Sequence, residues 1–289
     1  MRILILGGDG MLGHQFFRSW RNKHEVRVTL HRDLTQYETF GLYDSTNSYC
    51  GLDVRDLKCF EDVVEKFSPE VVVNAVGVTK QLSGAENITA TIEVNALIPH
   101  KLAEVCGRHD VRLIHMSTDC VFSGHDGNYS EHSVSDVEDL YGRSKYLGEV
   151  DSPNVLTLRK STIGLELSGA HGLLEWFLTQ RGKIKGFRKA IYSGVISSEL
   201  ARVIEMLLLE YPKLSGVWNV ASEPINKYDL LVQLADRLGR NDIIIEPFDG
   251  FVCDRSLNAA AFCEQTGYIA PSWTEMLDEL VVQIKERKQ

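Results

Sequence analysis

Short apolar runs alternate with amphipathic stretches along the first half of the chain. Strands are predicted at 2–6, 25–30, 70–77, 111–116 and 155–159, and the apolar run at 2–6 is typical of a parallel strand buried on both faces. A further strand is predicted to end at 52–54. Helices are predicted between the strands, at 11–20, 56–68, 87–108 and around 141–145. This alternation indicates an α/β fold with a doubly wound parallel sheet.

A glycine-rich turn joins the first predicted strand to the first predicted helix. It contains both a GxGxxG and a GxxGxxG spacing and reads Gly7-Gly8-Asp9-Gly10-Met11-Leu12-Gly13. Glycines allow a tight turn and the close approach of backbone N–H groups to a pyrophosphate, which the helix N-terminus faces. The turn therefore predicts dinucleotide binding, with cofactor contacts from Gly7, Gly10, Met11, Leu12 and Gly13.

The residues after the second strand bear on which dinucleotide is bound. An acidic side chain at this place binds a ribose 2′-hydroxyl, whereas an arginine suits a 2′-phosphate. Arg32 therefore favours NADPH, and the adjacent Asp33 leaves NADH open. The polar stretch 37–49 that follows is predicted to be a surface excursion.

Further candidate contacts lie where later strands end, because α/β sheets bind ligands at that edge. Asp53 is a candidate partner for the adenine, with helix capping as its alternative role. The turn Asn74-Ala75-Val76-Gly77 is predicted to face the cofactor, and 78–81 follows it. The segment Ser117-Thr118-Asp119 ends the fifth strand, where its hydroxyls polarise a substrate carbonyl or satisfy local backbone groups.

Tyr141 and Lys145 are four residues apart, so a helix places them one turn apart on one face. A phenol has a pKa of about 10 and is a poor proton donor or acceptor near neutrality. A neighbouring ammonium lowers that pKa and makes proton transfer at neutral pH feasible. A lone YxxxK is most often only a helix surface. Here it follows a dinucleotide fingerprint and a Ser-Thr-Asp segment, and the combination predicts an acid–base site.

From about Lys160 onward the alternation of strands and helices becomes irregular, with glycine- and serine-rich joints. We therefore predict a Rossmann-type dinucleotide-binding domain at 1–160, to which later segments return, and a smaller, interleaved substrate-binding lobe at 161–289. Helices in this lobe are predicted at 172–178, 197–210, 227–238, 259–266 and 273–287. A basic group in the lobe is either a solvated face or a contact for a substrate diphosphate, and consists of Arg181, Lys183, Lys185, Arg188 and Lys189.

Composition narrows the class of protein. The 289 residues are 44% hydrophobic and 25% charged, as in ordinary globular proteins. No apolar run reaches about 18 residues and no signal peptide is read, so a cytoplasmic protein without a membrane span is expected. The net charge of −9 argues against nucleic-acid and anionic-membrane partners. The six cysteines show no CxxC pair and no zinc spacing, which predicts reduced thiols and no metal site.

Two further segments carry a family resemblance. Residues 113–124 are similar to an "STD-x-VF-G" motif, and residues 140–149 are similar to a "YGxSKxxGE" motif. Together with the glycine-rich turn, these motifs make the chain resemble the extended short-chain dehydrogenase/reductases. Within them it resembles the dTDP-4-dehydrorhamnose reductases. The resemblance covers essentially the whole length, including 222–228.

This resemblance implies NADPH-dependent reduction of the C4 ketone of a nucleotide-linked 4-keto-6-deoxy sugar, in deoxysugar and cell-surface polysaccharide biosynthesis. It implies that Tyr141 is the catalytic acid, that Lys145 binds the nicotinamide ribose and that Thr118 hydrogen-bonds the reacting oxygen. It also implies cofactor contacts from Asp53, Val54, Ala75, Val76, Gly77, Ser117 and Asn95, of which Asn95 would steady the lysine through water. A homodimer is likewise an expectation from the family.

The loops that would meet the substrate depart from the family pattern. A tyrosine-threonine start and an Asp-x-Ala-Glu are replaced by 78–81 and 83–86, and Cys120 replaces an aromatic that touches the sugar. Residues 159–167 resemble a subfamily signature that is expected near the substrate. Substrate contacts are therefore predicted for Lys80, Gln81, Thr118, Asp119, Cys120 and Glu166. The nucleotide and the sugar stay open.

Three alternatives to the reductase also stay open. An epimerase or dehydratase of nucleotide sugars shares the fold, although dehydratases usually place an acidic pair where this chain has Thr118-Asp119-Cys120. A non-catalytic NADP-binding regulatory subunit, as in the methionine adenosyltransferase β-subunit branch, can keep both Tyr141 and Lys145. A generic carbonyl reductase would normally have a smaller substrate lobe.

Overall fold

A computed structural model of the chain describes residues 1–80 and 87–287. The chain divides into two compact units. The first contains Met1–Ser117, Asp139–Leu158 and Ala201–Val217, and the second contains Thr118–Glu138, Arg159–Leu200 and Trp218–Gln289. Each unit takes segments from both sides of residue 160. The division into a dinucleotide-binding domain and a substrate lobe at that residue stays a prediction.

Strands and helices alternate up to residue 160. In chain order they are β1 (Arg2–Leu6), α1 (Met11–Trp20), β2 (Glu25–Thr29), β3 (Ser48–Tyr49), α2 (Leu57–Phe67), β4 (Val71–Asn74), α3 (Ile88–Ile92), α4 (Ile98–Arg108), β5 (Arg112–Met116), α5 (Leu140–Leu147) and β6 (Val155–Lys160). Short 3₁₀ turns lie at Leu34–Gln36, Glu38–Phe40 and Asp119–Val121, and a π-helical segment lies at Glu93–Leu97.

Shorter strands and further helices follow. In chain order they are β7 (Thr162–Ile163), α6 (Leu173–Thr179), β8 (Gly182–Phe187), β9 (Ala190–Tyr192), β10 (Val195–Ile196), α7 (Ser197–Leu209), β11 (Gly216–Val220), β12 (Ile225–Asn226), α8 (Lys227–Leu238), β13 (Ile243–Phe248), β14 (Cys253–Asp254), α9 (Ala260–Thr266) and α10 (Trp273–Arg287). The five helices predicted in this half are therefore confirmed, with ends that differ by at most one residue. Within the described residues, no helix has the length and apolar character needed to cross a bilayer.

A seven-stranded sheet in the order β11-β6-β5-β4-β1-β2-β3 organises the fold. The pairs from β3 through to β6 are parallel. The chain builds outward from β1 to β2 and β3 on one side and then to β4, β5 and β6 on the other. The sheet therefore has a switch point between β1 and β4, where ligands of such folds bind. This arrangement confirms the predicted Rossmann-type, doubly wound parallel sheet.

Alternate residues of the buried strands face opposite sides of the sheet. Leu4 and Leu6 belong to a core cluster that includes Phe60 of α2 and Leu102 of α4. The indole Nε1 of Trp20 in α1 donates to the carbonyl of Ala201 in α7, 3.2 Å away. Helices thus pack around both faces of the sheet, which explains why its strands read as continuous apolar runs.

The third strand lies earlier than predicted. The sequence places its end at 52–54, but the β2–β3 ladder pairs Val28 with Ser48 and Thr29 with Tyr49. Gly51 follows at a φ of +69°, in the left-handed region. The chain turns there, so the regular ladder stops before the apolar residues that suggested the strand.

The predicted helix at 87–108 is interrupted near its middle. The segment Glu93–Leu97 is π-helical and lies between α3 and α4. Pro99 has no N–H to donate to the carbonyl of Asn95, which explains this interruption. That carbonyl faces Gly148 so closely that a Cβ on Gly148 would lie 1.9 Å from the oxygen. The glycine after α5 is therefore required by the close approach of the two backbones.

Candidate active site

The glycine-rich turn forms a cradle bounded by backbone. Gly7 has a φ of +80°, and a Cβ on Gly13 would lie only 2.0 Å from the carbonyl oxygen of Gly7. Gly10 caps α1 without a side-chain hydrogen bond, so no cap side chain covers Met11 and Leu12 in the first turn. This geometry leaves room for backbone N–H groups to approach an anion. The turn therefore fits the diphosphate of a dinucleotide.

Two tyrosines hold this turn from the stretch predicted as a surface excursion. Tyr43 donates to the carbonyl of Gly8 at 2.5 Å, and Tyr37 donates to a carboxylate oxygen of Asp9 at 2.6 Å. Burial raises the pKa of each phenol, and Asp9 raises both further, so each stays protonated and donates at neutral pH. The prediction for 37–49 is therefore wrong for these side chains. The presence of two large aromatic side chains in a polar stretch was the one sign in the sequence that part of it is buried.

Arg32 lies just beyond β2, as predicted. Its side chain is exposed and donates to Gln36 at 3.3 Å, while Asp33 precedes the first 3₁₀ turn with its side chain exposed. Both residues are therefore accessible to solvent beside the turn held by Tyr37. Their roles in choosing between NADPH and NADH stay predictions.

Asp53 does not cap the helix that follows it. Its carboxylate forms a two-pronged ion pair with the guanidinium of Arg55, which lowers the pKa of Asp53. The cap of α2 is Asp56, which accepts from the N–H of Cys59 at 2.9 Å. The capping alternative for Asp53 is therefore wrong. Its adenine contact, like that of the buried Val54, stays a prediction.

The carboxyl ends of three strands align at the switch point. Leu6 pairs with Asn74, and Asn74 pairs with His115. The buried Asn74 amide contacts the ring Nδ1 of His115 at 3.1 Å and accepts from the N–H of Val76 at 3.1 Å. These bonds shape the turn of Ala75, Val76 and Gly77, which is partly exposed next to Gly7. Sequence analysis predicted this turn as cofactor-facing.

Tyr141 and Lys145 lie one turn apart on α5, as the spacing predicts. Asp139 caps this helix by accepting from the N–H of Gly142 at 3.0 Å. Lys145 is only 4% exposed, and its ammonium donates to the carbonyl of Met116 at 2.6 Å. Burying an ammonium is costly without such a partner. The end of β5 therefore anchors Lys145, and α5 carries both this lysine and the partly exposed Tyr141.

Asn95 connects the loop after β4 to this helix. Its buried amide accepts from the N–H of Val78 and donates to the carbonyl of Val78, both at 2.9 Å. It also donates to the hydroxyl of Ser144 at 3.2 Å, and that hydroxyl donates to the carbonyl of Tyr141 at 2.9 Å. The π-helical segment, a feature often found at functional sites, presents Asn95 to both partners.

Lys80 and Ser117 complete the polar groups around α5. The Lys80 ammonium lies 2.8 Å from a carboxylate oxygen of Asp139 and 5.8 Å from the ring centroid of Tyr141. Ser117 donates to Glu149 at 2.7 Å, just after α5. The first unit thus brings together five predicted site residues, namely Lys80, Asn95, Ser117, Tyr141 and Lys145. Gln81 lies outside the described residues.

Thr118, Asp119 and Cys120 belong to the second unit. Thr118 donates to Asp119 at 3.1 Å and accepts from the N–H of Cys120 at 3.2 Å, so it caps a 3₁₀ turn. The Cys120 sulfur accepts from Arg255 at 3.6 Å. The local backbone role that the sequence left open is therefore present. A contact from these residues to substrate stays a prediction.

Two residues that were not predicted individually as site residues, Lys160 and Tyr192, lie near Asp119. Burial lowers the pKa of Lys160, and the charge of Asp119 opposes that shift. Burial also raises the pKa of Tyr192, again with a contribution from Asp119. The Tyr192 hydroxyl is buried and has no hydrogen-bond partner among the described residues. Lys160 belongs to the segment 159–167, which was expected near the substrate. Nothing local in the sequence marked Tyr192, because the strand that carries it is far from Asp119 along the chain.

Glu166 is tied into the loop before α6. Its carboxylate accepts from the backbone N–H groups of His171, at 3.0 Å, and of Gly172. The N–H of Glu166 donates to Glu175, which forms an ion pair with Arg287. These contacts give Glu166 a structural task, and its role as a substrate contact stays a prediction.

The basic group predicted in the lobe is largely paired. Arg181 pairs with Asp242, Lys183 with Glu246 and Arg188 with Asp249, which places three of the five cations against carboxylates on or beside β13. Lys185 lies over the ring of Phe248, 4.4 Å from its centroid. The group is thus mostly a charge-paired face of the β8–β13 ladder rather than an open cationic surface.

Known proteins with similar sequences include two reductases of nucleotide-linked sugars. The dTDP-4-dehydrorhamnose reductase of Aggregatibacter actinomycetemcomitans is 27% identical over 252 residues, which cover 81% of this chain and 78% of that protein. The dTDP-4-keto-6-deoxy-D-glucose reductase of Streptomyces niveus is 30% identical over 149 residues, which cover 51% of this chain and 46% of that protein.

A solved structure of the dTDP-4-dehydrorhamnose reductase of Bacillus anthracis str. Ames, in complex with NADP, has a TM-score of 0.79. It is 19% identical and the match covers 98% of this chain and 99% of that one, so the likeness concerns the fold. A family model, the RmlD substrate binding domain, matches residues 1–163. Since this match spans more than half of the 289 residues, the chain belongs to the RmlD substrate-binding domain family.

Proposed function

We propose that the chain is an NADPH-dependent reductase of the C4 ketone of a nucleotide-linked 4-keto-6-deoxy sugar, acting in deoxysugar biosynthesis. The observation that carries this proposal is that Tyr141 and Lys145 lie one turn apart on α5, with the Lys145 ammonium anchored, in the same unit as the glycine-rich turn. The names of the A. actinomycetemcomitans and S. niveus relatives support the same substrate class.

The residues of the first unit suit an NADPH site. Gly7, Gly10 and Gly13 leave space for a diphosphate at the start of α1, and Met11 and Leu12 lie in the first helical turn. Arg32 would pair with the 2′-phosphate, for which a guanidinium is well suited. When bound, NADPH supplies the hydride that reduces the ketone. The complex of the B. anthracis relative with NADP supports this choice of cofactor.

Tyr141 would donate a proton to the oxygen of the ketone as negative charge develops on it. Lys145 lies one helical turn from Tyr141, and the carbonyl of Met116 holds its ammonium. It would support the transfer, because a nearby cation favours the phenolate that remains. Asn95 and Ser144 hold the backbone of the tyrosine helix. Fixed donors of this kind stabilise a developing oxyanion without reorganising during the reaction.

Several residues are proposed to recognise the substrate. Thr118 would hydrogen-bond the reacting oxygen, and the other proposed sugar contacts are Lys80, Gln81, Asp119, Cys120 and Glu166. Binding the nucleoside diphosphate away from the ketone would position the reacting carbon. A cytoplasmic location and a homodimer are proposed on the family resemblance.

Turnover of candidate substrates tests this function. Purified protein is mixed with NADPH and with a panel of dTDP- and UDP-linked 4-keto-6-deoxy sugars, and the loss of NADPH absorbance is followed. We expect turnover with at least one sugar. If the protein binds NADPH but turns over none of the sugars, the reductase function is contradicted and a non-catalytic regulatory subunit is favoured.

A further inference from the structure

A second ammonium lies beside the catalytic tyrosine. The Lys80 Nζ is 5.8 Å from the ring centroid of Tyr141, and 2.8 Å from a carboxylate oxygen of Asp139. Asp139 uses its other carboxylate oxygen to cap the helix that carries Tyr141. One side chain therefore fixes both the helix start and the cation. The sequence spacing of Tyr141 and Lys145 gives no sign of this contact, since Lys80 comes from the loop after β4.

The backbone that carries Lys80 is held on the same network as the tyrosine. Asn95 makes two hydrogen bonds to Val78, two residues before Lys80, and a third to Ser144. Ser144 in turn donates to the carbonyl of Tyr141. A continuous set of hydrogen bonds thus links the segment of Lys80 to the residue that its ammonium faces. Hydrogen bonds within the first unit therefore help to position the Lys80 ammonium.

We propose that Lys80 is a positioning residue whose ammonium, held by Asp139, makes Tyr141 a stronger proton donor. The proposal rests on the function proposed above. A cation near the ring of a phenol stabilises the phenolate more than the neutral phenol. The proton of Tyr141 therefore leaves more readily when Lys80 is charged. Lys80 acts through Tyr141, in addition to Lys145.

Other charged groups flank this helix or lie on elements packed against it. Asp139, Arg143 and Glu149 lie on or beside α5, and Asp139 partly opposes the effect of Lys80. From the packed π-helical segment comes Glu93, whose carboxylate lies 3.7 Å from Arg55. His100 of α4 contacts the carbonyl of Leu147 at the opposite end of α5. The ammonium of Lys80 lies over the ring of Tyr141.

The expected size of the effect follows from distance and exposure. The Lys80 side chain is 40% exposed, so a water-like dielectric is appropriate. In that limit a unit charge about 6 Å from the centre of a phenol ring moves the titration of the phenol by roughly half a pH unit at most, because Asp139 opposes part of the effect. Removing the charge disfavours the phenolate, so Tyr141 should keep its proton to higher pH.

Charge-removing and charge-keeping variants test the proposal. Lys80→Met removes the charge but keeps much of the stem, whereas Lys80→Arg keeps the charge. Lys58→Met is a matched control, because Lys58 forms an exposed ion pair with Asp62 far from the site in sequence and on another helix. For each protein two quantities are measured. They are the pH dependence of kcat with NADPH, and the tyrosinate absorbance titration minus that of the same protein carrying Tyr141→Phe.

In Lys80→Met we expect the alkaline limb of kcat and the tyrosinate titration both to move up by roughly half a pH unit. At neutral pH kcat should fall about threefold, as expected for that shift in a proton donor. In the tyrosinate titration Lys80→Arg should follow the unchanged protein, because it keeps the charge. Lys58→Met should follow the unchanged protein in both measurements. The proposal is overturned if the tyrosinate titration of Lys80→Met does not move, or if Lys80→Arg moves it equally.

The two proposals fail in different ways. If no keto-sugar is turned over, the reductase function is contradicted, while the tyrosinate titration still reports on Lys80. If turnover is normal and the titration of Lys80→Met is unchanged, the reductase stands and the role of Lys80 is contradicted.

Discussion

Lys145 shows how a single buried charge is used in this protein. Its ammonium is buried and its hydrogen bond to the Met116 carbonyl connects the end of β5 to the helix of Tyr141. The spacing of the two residues could be found from the sequence because it is local. The hydrogen bond to Met116 could not be found from the sequence, since it depends on how β5 and α5 pack. The same holds for Lys80 and Asp139, which are 59 positions apart.

Replacing Lys145 should lower the turnover number strongly. In Lys145→Met the cation one helical turn from Tyr141 is lost, and the carbonyl of Met116 loses a charged donor. We expect kcat to fall by about 100-fold or more, the scale of losing support for a general acid. Steady-state kinetics with NADPH measure this effect, with Lys58→Met as the control for loss of a lysine charge. A kcat within about twofold of the unchanged protein would remove Lys145 from the mechanism.

Arg32 should set the preference between the two dinucleotides. In Arg32→Ala the exposed guanidinium proposed to meet the 2′-phosphate is lost, and an interaction of this kind contributes on the order of tenfold in affinity. We expect the Kd for NADPH to rise about tenfold and the Kd for NADH to change little, as measured by fluorescence titration. Arg21→Ala, which removes an exposed arginine after α1, is the control. Equal losses for both cofactors would reassign the 2′-phosphate contact.

At the scale of elements, structure that depends on local sequence patterns was predicted, whereas structure that depends on long-range packing was not. The amphipathic helices α7, α8 and α10 were predictable because their apolar spacing is a local property. The third strand was misplaced because Gly51 turns the chain before the apolar residues that suggested it. The burial of Tyr37 and Tyr43 depends on contacts with Asp9 and Gly8, more than 25 residues away.

The glycine-rich turn gives a prediction for the packing of α1. In Gly13→Ala the new Cβ would lie 2.0 Å from the carbonyl oxygen of Gly7, so the helix or the turn must move. We expect the free energy of unfolding to fall by about 1–3 kcal/mol, the usual cost of overpacking. Urea denaturation without cofactor measures it. Gly10→Ala is the matched control, since its Cβ would be 3.4 Å from the same oxygen. Equal stability of the two variants would contradict the close approach.

At the scale of the whole molecule, charge is paired between distant segments. From the sequence, the basic group at 181–189 was either a solvated face or a contact for a substrate diphosphate. In the second unit, carboxylates about 60 positions later pair with Arg181, Lys183 and Arg188. A sequence read locally cannot show this pairing, because the parallel ladder of β8 and β13 creates it. The doubly wound sheet was predictable, since its order follows from the alternation of strands and helices.

The central claim is that Tyr141 donates the proton in an NADPH-dependent reduction. Its most direct test compares Tyr141→Phe with Tyr146→Phe, which removes a hydroxyl from an exposed tyrosine on the same helix. The measurement is kcat for NADPH oxidation with the best 4-keto sugar, together with the Kd for NADPH. We predict that Tyr141→Phe lowers kcat by about 100-fold or more at an unchanged Kd, while Tyr146→Phe behaves like the unchanged protein. Equal kcat values for the two variants would contradict the mechanism.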